Sequence, residues 1–472
     1  MQITNIASFA SVLSVSPDIR PEQTVRGITD DSRKVQPGSL FVVKQGFHDD
    51  GMRFVTDARA KGAIAIVANQ PIEHVPLIHV TSVHEFEKQF LSLHYDGVET
   101  KMYFAGITGT KGKTTSAFLI YEYLQRRGEP VCYIGTIGIY DKNRRSVRNM
   151  YTTPDVYSLY AILDEKYREG HTICIMEVSS HALAQHRING IRYTVAGFTN
   201  LSHDHLDYHH TMEEYYSVKK TLFTDHLNGY AVINCHDTYG KRLFSELMSE
   251  KKIGFGEKSV HEYTLHERID HSCIDCGDFT VITGMPGTYN AENAVLAGYM
   301  LRAMGYSETR YQFGLLGIPG RLEKVTARGI TVYVDYAHSP DSLEKVLELL
   351  QQRKTARLIT VFGCTGDRDR TKRPVMAQIA EHYSDYVVIT SDDPHSEDPE
   401  TICCEVESGM SGTQYVVEPD RKKAIALALN YAQEGDIVLI AGKGHETVQI
   451  FDGFEIPFND REVVEEFFRL QS

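Results

Sequence analysis

Short apolar runs recur along the chain, each closed by a polar turn, and stretches with helical spacing fill many of the intervals. The runs at 39–43, 63–67, 102–107, 131–134, 172–178, 195–199, 230–234, 331–335, 357–362, 386–390 and 436–440 read as buried strands. Residues 51–62 and 116–124 carry apolar positions at helical spacing, the first ending on Gly62. Strands alternating with helices predict an α/β chain with mostly parallel sheets covered on both faces. A polar, glycine-containing stretch near 96–101 and a restart of the rhythm near 323 divide the chain into 1–98, 99–322 and 323–472. A length of 472 residues suits several such cores. No internal repeat or low-complexity segment is visible, and no apolar run approaches the roughly 20 residues of a membrane span.

Composition narrows the class. The formal net charge of -14 argues against a nucleic-acid surface but leaves room for anionic ligands held by local cations. The first residues, Met1 to Ile6, lack a basic region followed by a long apolar core, so no signal peptide is expected. The 8 cysteines are scattered, as reduced thiols of a cytoplasmic protein would be. Cys273-x-x-Cys276 has no second pair at zinc spacing, so a metal or redox role there is not expected.

The stretch Ala105-Gly-Ile-Thr-Gly109-Thr110-Lys111-Gly112-Lys113-Thr114-Thr115 joins a strand to a helix through a glycine-rich turn. Backbone N–H groups there can approach phosphate oxygens, and the helix N-terminus adds its dipole. Lys113 would reach the terminal phosphates and Thr114 would offer a hydroxyl to magnesium. Position 107 departs from the strict phosphate-loop pattern, with isoleucine in place of glycine. Glu177 ends another strand, where a carboxylate can hold magnesium or cap the next helix. The segment 199–210 is dense in His and Asp, but its residues are contiguous rather than at i, i+4 spacing. One histidine near magnesium, with the rest as polar surface, is the expectation. Lys219 reads by itself as a solvated lysine, and Asp30 to Gly38 as a plain turn. Three loops after C-terminal strands, 363–369, 391–398 and 442–446, are charged and suit a small zwitterion. Arginine there would pair with a carboxylate, and carboxylates with an ammonium.

Together these segments resemble the Mur ligases. The motifs are Gly109 to Thr115, Thr152-Thr153-Pro154-Asp155, Glu177-Val-Ser179-Ser-His181, Asp204-His205-Leu-Asp-Tyr-His209, Tyr289-Asn290-Ala-Glu-Asn293, Pro319-Gly-Arg321-Leu-Glu323, Asp335-Tyr-Ala-His338 and Gly442-Lys-Gly-His-Glu446. Their order and spacing are most similar to the MurE-type branch, which adds the third residue of the peptidoglycan stem peptide. That family also lacks the earlier glycine that Ile107 replaces. The resemblance implies three domains: an N-terminal one for the UDP end of the substrate, a central ATP-binding parallel sheet, and a C-terminal Rossmann-like domain for the amino acid.

By the same resemblance, Gly109, Thr110, Lys111, Gly112, Lys113, Thr114 and Thr115 would hold the ATP phosphates. Asn290, Asn293, Arg321 and Asp335 would contact the rest of the nucleotide. Ser32, Thr152, Thr153, Ser179, Gln185 and Arg187 would bind the UDP-sugar substrate. Thr114, Glu177 and His205 would surround Mg2+, with His205 orienting or acting as a base. Lys219 falls where the family carries a carbamylated lysine, an anion able to support a second magnesium, although Val218 stands where the family has alanine. Lys113, Lys219 and His205 would be the catalytic set. Arg368, Asp392, Asp393, His395, Gly442 and Glu446 would bind the amino acid.

The implied reaction is ATP-dependent. The D-glutamate side-chain carboxylate of a UDP-N-acetylmuramoyl dipeptide takes the γ-phosphoryl group, and the amine of a free diamino acid displaces phosphate from the acyl phosphate. A cytoplasmic monomer, without nucleic acid or membrane partners, is expected. His395 stands where members that add meso-diaminopimelate carry an arginine. Imidazole is a weaker carboxylate clamp than guanidinium. L-lysine is therefore the expected amino acid, with meso-diaminopimelate, or another substrate in a side pathway, as the alternative.

Overall fold

The computed structural model describes residues 1–44, 50–141, 151–256, 261–267, 271–314 and 317–470. The chain separates into two compact units, one of Met1–Glu262 with Leu296–Ser307, the other of Tyr263–Val295 with Glu308–Ser472.

In the first unit, a seven-stranded sheet runs in the order Lys252–Phe255, Leu227–Asn234, Tyr193–Phe198, Tyr103–Thr108, Ile173–Glu177, Val131–Gly135, Gly138–Tyr140. Only the edge strand Gly138–Tyr140 is antiparallel to its neighbour. The middle strands are apolar runs buried on both faces, as parallel strands under helices must be. Ile107 pairs in register with Gly197 on one side and Glu177 on the other. Three strands therefore end at one edge, the side where ligands of open parallel sheets bind. The same unit holds a five-stranded sheet in the order Val12–Val15, Leu77–Val80, Ala65–Ala68, Ser39–Val42, Gly27–Thr29. One apolar cluster extends from Ile3 through Leu40, Phe86, Phe104 and Tyr160 to Leu247.

In the second unit, six strands run in the order Glu323–Ala327, Ile330–Asp335, Ile437–Ala441, Leu358–Phe362, Tyr386–Ile389, Tyr415–Val417, again parallel except at one edge. Helices Pro340–Gln351, Lys372–Tyr383 and Pro399–Glu407 bury one face through Leu343, Met376 and Ile402. Helices Arg421–Tyr431 and Asp460–Leu470 bury the other through Ile425 and Val464. Ser339 and Asp398 cap helices that open on proline, a position where the missing N–H costs nothing. A separate four-stranded sheet between residues 264 and 313, largely antiparallel, went unanticipated in the sequence. Among the described residues no helix is long and apolar enough to cross a membrane.

Candidate functional site

The glycine-rich turn springs from the central strand of the seven-stranded sheet. Ile107 lies inside that strand, fully buried, which is why this position needs no glycine. Gly109 is where one is required: its φ is 150°, and a Cβ there would fall on the Thr199 hydroxyl. Gly112, at φ 84°, is the N-cap of the helix Lys113–Arg126. The turn is fastened to the strand-end segment 199–202. Thr110 N–H donates to the Asn200 carbonyl (2.9 Å), Lys111 N–H to the Asn200 side-chain oxygen (3.0 Å), and the Thr199 hydroxyl to the Lys111 carbonyl (2.6 Å). Lys113 Nζ folds back onto the carbonyls of Gly109 and Thr110, 2.9 Å each.

Glu177 is wholly buried at the end of its strand. Its carboxylate accepts hydrogen bonds from the Thr114 hydroxyl (3.0 Å), the Tyr133 hydroxyl, and both the N–H and hydroxyl of Thr136 (2.9 and 3.1 Å). It does not cap the following helix, because Ser179 does so by accepting from Ala182 N–H. Thr114 and Glu177 thus present hard oxygen ligands beside the phosphate turn, a donor set suited to magnesium. Tyr133 and Thr136 went unread in the sequence. Their signal was position alone, at the end of the strand two places from the centre.

Thr152, Thr153, Ser179, Gln185 and Arg187, five of the residues expected to bind the UDP-sugar substrate, lie together at the same edge. Thr153 Oγ1 donates to the Glu177 carbonyl (2.9 Å) and accepts from Ser179 N–H (3.1 Å). Arg187 donates to the Thr153 carbonyl (3.0 Å) and grips Gln185 Oε1 through two nitrogens (3.0 and 2.7 Å). Thr152 meets the Thr136 hydroxyl at 3.1 Å. Ser32 is buried in the single turn of the 3-10 helix Ser32–Lys34, capped by Asp31, so the segment is the turn expected of it. Lys34 Nζ lies 3.5 Å from the Asp155 carboxylate, beside Thr152 and Thr153 in sequence.

Two bare-sequence expectations are corrected. Lys219 is not solvated: it is 1% exposed, its Nζ donates to the Gly109 carbonyl (2.9 Å) and lies 4.6 Å from the centre of the Tyr215 ring. Burial, reinforced by the nearby charge of Lys113, holds its pKa well below the usual lysine value. The histidines of 203–210 are not uniformly surface either. His209 is buried, stacked on Tyr215 with ring centroids 4.9 Å apart and 2.9 Å from the Ser180 hydroxyl. His205 is half-exposed in a left-handed conformation (φ 53°), edge-on to the His181 ring.

In the second unit, Asn290 is buried in the first turn of helix Thr288–Ala303 and donates to the Pro286 carbonyl, and Asn293 is buried one turn on. Asp335 is buried and accepts from Leu322 N–H (2.7 Å), and burial raises its pKa. Arg321 lies over the Tyr336 ring at 5.0 Å. The three charged loops do meet. Asp367 joins the first to the second through Ser396, 2.6 Å to the hydroxyl and 3.2 Å to the N–H. Lys443 joins the second to the third, 2.7 Å from both Asp393 and Glu446. A Cβ on Gly442 would press on the Asp392 carboxylate. Arg368 is exposed, and His395 is half-buried at φ 52° with its N–H on the Ile450 carbonyl.

Comparison with known proteins matches all three parts of the chain to one family. The Mur ligase family catalytic domain covers residues 24–95, the Mur ligase middle domain 107–301 and the Mur ligase glutamate ligase domain 320–444. The UDP-N-acetylmuramoyl-L-alanyl-D-glutamate–2,6-diaminopimelate ligase of Geobacillus thermodenitrificans is 40% identical over 456 residues, 92% of each chain. That of Cytophaga hutchinsonii is 38% identical over 486 residues, 99% of each. A solved structure of a ligase of that name is 30% identical, with a TM-score of 0.67 over 100% of this chain and 99% of the other. MurF from Thermotoga maritima in complex with ADP, 18% identical with a TM-score of 0.58, shares the fold over 95% of this chain and 98% of its own. The names of the first three carry diaminopimelate, so they favour that alternative over the L-lysine that His395 suggested.

Proposed function

The chain belongs to the Mur ligase family, and on that premise we propose that it joins 2,6-diaminopimelate to UDP-N-acetylmuramoyl-L-alanyl-D-glutamate with ATP, as a cytoplasmic monomer in peptidoglycan synthesis. The functional division is 1–98 for the UDP moiety, 99–322 for ATP and 323–472 for the amino acid.

The observation that carries the reaction class is the pairing of Lys113 and Lys219 on one carbonyl oxygen, that of Gly109. Lys113 is the cation placed for phosphate: phosphate oxygens in the turn offer its ammonium better partners than the loop carbonyls of Gly109 and Thr110 do. Lys219, buried and beside a second ammonium, favours its neutral form. A neutral amine attacks the carbon of carbon dioxide and loses one proton, giving a carbamate that keeps an N–H for Gly109. The D-glutamate carboxylate then takes the γ-phosphoryl group, and the amino group of the incoming amino acid displaces phosphate. Thr114, Glu177 and His205 would hold Mg2+ and the Lys219 carbamate would support a second ion, and magnesium bound there would neutralise phosphate charge. Thr152, Thr153, Ser179, Gln185 and Arg187 orient the dipeptide, and Ser32 holds the UDP end. Asn290, Asn293, Arg321 and Asp335 take the nucleoside.

The lack of an arginine at 395 does not exclude a distal carboxylate. The Asp367–Ser396 link puts Arg368 on the loop fastened to that of His395, so guanidinium and imidazole can share the group. Phosphate release with ATP, magnesium and the UDP-dipeptide, in separate reactions with 2,6-diaminopimelate, L-lysine or L-ornithine, tests the proposal. Release with diaminopimelate is expected. Release with L-lysine alone would refute the amino-acid assignment, and silence with all three would refute the ligase.

A further inference from the structure

Lys443 is fully buried, yet its charge faces three carboxylates. Its Nζ lies 2.7 Å from Asp393 Oδ1, 2.7 Å from Glu446 Oε2 and 3.9 Å from Asp392 Oδ1. Asp393 is pinned a second time by Ile450 N–H (2.8 Å). Asp392 is walled in by the Gln449 amide on its carbonyl (2.6 Å) and by Arg421, which pairs with Asp460 (2.8 Å) and holds the carbonyls of Ser391 and Ala441. Of the three carboxylates, Glu446 alone has an open face, its side chain 29% exposed against 9% for Asp393 and 4% for Asp392.

We propose that Lys443 is a positioning residue that fixes Glu446 by one oxygen and turns the other outward to accept the amino group of the incoming amino acid. The inference rests on the reading of Glu446 as an amino-acid contact and goes beyond it by naming what holds that contact and sets its charge. A carboxylate in this position faces Asp392 and Asp393 as like charges, Lys443 and the more distant Arg421 as opposite ones, and Tyr336 nearby. Burial and the two aspartates push Glu446 up to about 7, while Lys443 pulls it down. Lys443 itself stays charged, because the carboxylates outweigh its burial. Glu446 is therefore the group whose charge changes near neutrality, and Lys443 keeps enough of it ionised to bind an ammonium.

The test is steady-state phosphate release by the full chain between pH 6 and 9, with the diamino acid varied, for the wild type, Lys443→Met, Lys443→Arg and Glu446→Gln. Removing Lys443 should raise KM for the amino acid about tenfold at neutral pH and move the acid limb of kcat/KM upward by about one unit. The kcat and the KM for ATP should change far less. Lys443→Arg should restore the limb in part. Glu446→Gln, which keeps the shape and needs no folding around an uncompensated carboxylate, should flatten the limb. A Lys443→Met enzyme with unchanged KM and limb overturns the proposal, and so does a Glu446→Gln enzyme that keeps the limb. Wild-type protein without amino-acid-dependent release overturns the underlying reading as well.

Discussion

Replacing Lys219 with methionine should separate stability from catalysis. The side chain is of similar length, so the cavity stays filled. The variant loses one hydrogen bond, to the Gly109 carbonyl, typically worth about 1 kcal/mol. That carbonyl keeps its bond from Lys113 and is not orphaned. Against the loss stands relief of a buried amine whose pKa is well below its usual value. Each unit of such a shift corresponds to about 1.4 kcal/mol. The sign follows from proton counting. The unfolded chain holds a proton on Lys219 up to its ordinary pKa, the folded chain releases it earlier, and so the wild type is penalised most at low pH. Lys219→Met should therefore melt at or above the wild-type temperature near neutral pH, and the gap should close as pH rises toward 10.5. Turnover should nonetheless fall by about 10²–10³, the range for losing one preorganised electrostatic contact to a transition state. Differential scanning fluorimetry across pH and phosphate release, each with and without added bicarbonate, measure both. Wild-type activity should rise with bicarbonate and the residual activity of the variant should not. A variant that melts several degrees lower, or one that turns over normally, would refute the account of Lys219 as a functional amine kept neutral at a cost in stability.

Gly109→Ala should abolish ATP binding measured by calorimetry and lower stability by about 1–3 kcal/mol, because its Cβ meets a Thr199 hydroxyl already committed to the Lys111 carbonyl. Thr114→Val should cost only about 1 kcal/mol in stability, since Tyr133 and Thr136 still serve Glu177, while the magnesium concentration for half-maximal activity rises about tenfold; an unchanged magnesium requirement would remove Thr114 from the site. His395→Arg should lower KM for 2,6-diaminopimelate about tenfold and leave that for L-lysine unchanged, a guanidinium being the better carboxylate partner.

How much of this was legible depended on whether the chemistry was local. The phosphate turn was, because strand, glycines and helix start are contiguous, and the parallel sheets were, because buried strands are continuous apolar runs. Ile107 looked like a defect in a motif until its place inside a strand removed the need for glycine. Lys219 was illegible by itself: its neighbour Lys220 has the same charge and local composition, yet Lys220 reaches Glu246 at the surface while Lys219 points at Gly109, 110 positions away. Tyr133 and Thr136 were missed for the same reason. They matter only because their strand lies next to that of Glu177. The sheet between 264 and 313 has strands of only four residues, about half of them polar, too short for their alternation to stand out in the sequence.

The amino acid was the hardest to read because a substitution at one position was weighed without its surroundings. An arginine replaced by His395 suggests a lost clamp only if position 395 acts alone. The loops instead form one bonded set: Asp367 holds Ser396, Glu397 accepts from Asp367 N–H and from the buried Arg373, and Lys443 ties Asp393 to Glu446. Such a frame fixes where any cation on 363–370 or 391–398 can reach. If these loops bind the amino acid as proposed, specificity is a property of the frame and its net charge, which Arg368, His395, Lys443 and three carboxylates would set together. A single-residue swap such as His395→Arg should accordingly shift the ratio between diaminopimelate and lysine by no more than about tenfold, whereas cutting the frame, as Asp367→Ala would by freeing Ser396, should weaken both amino acids at once. Equal KM values before and after that cut, with stability retained, would show that the loops act independently after all.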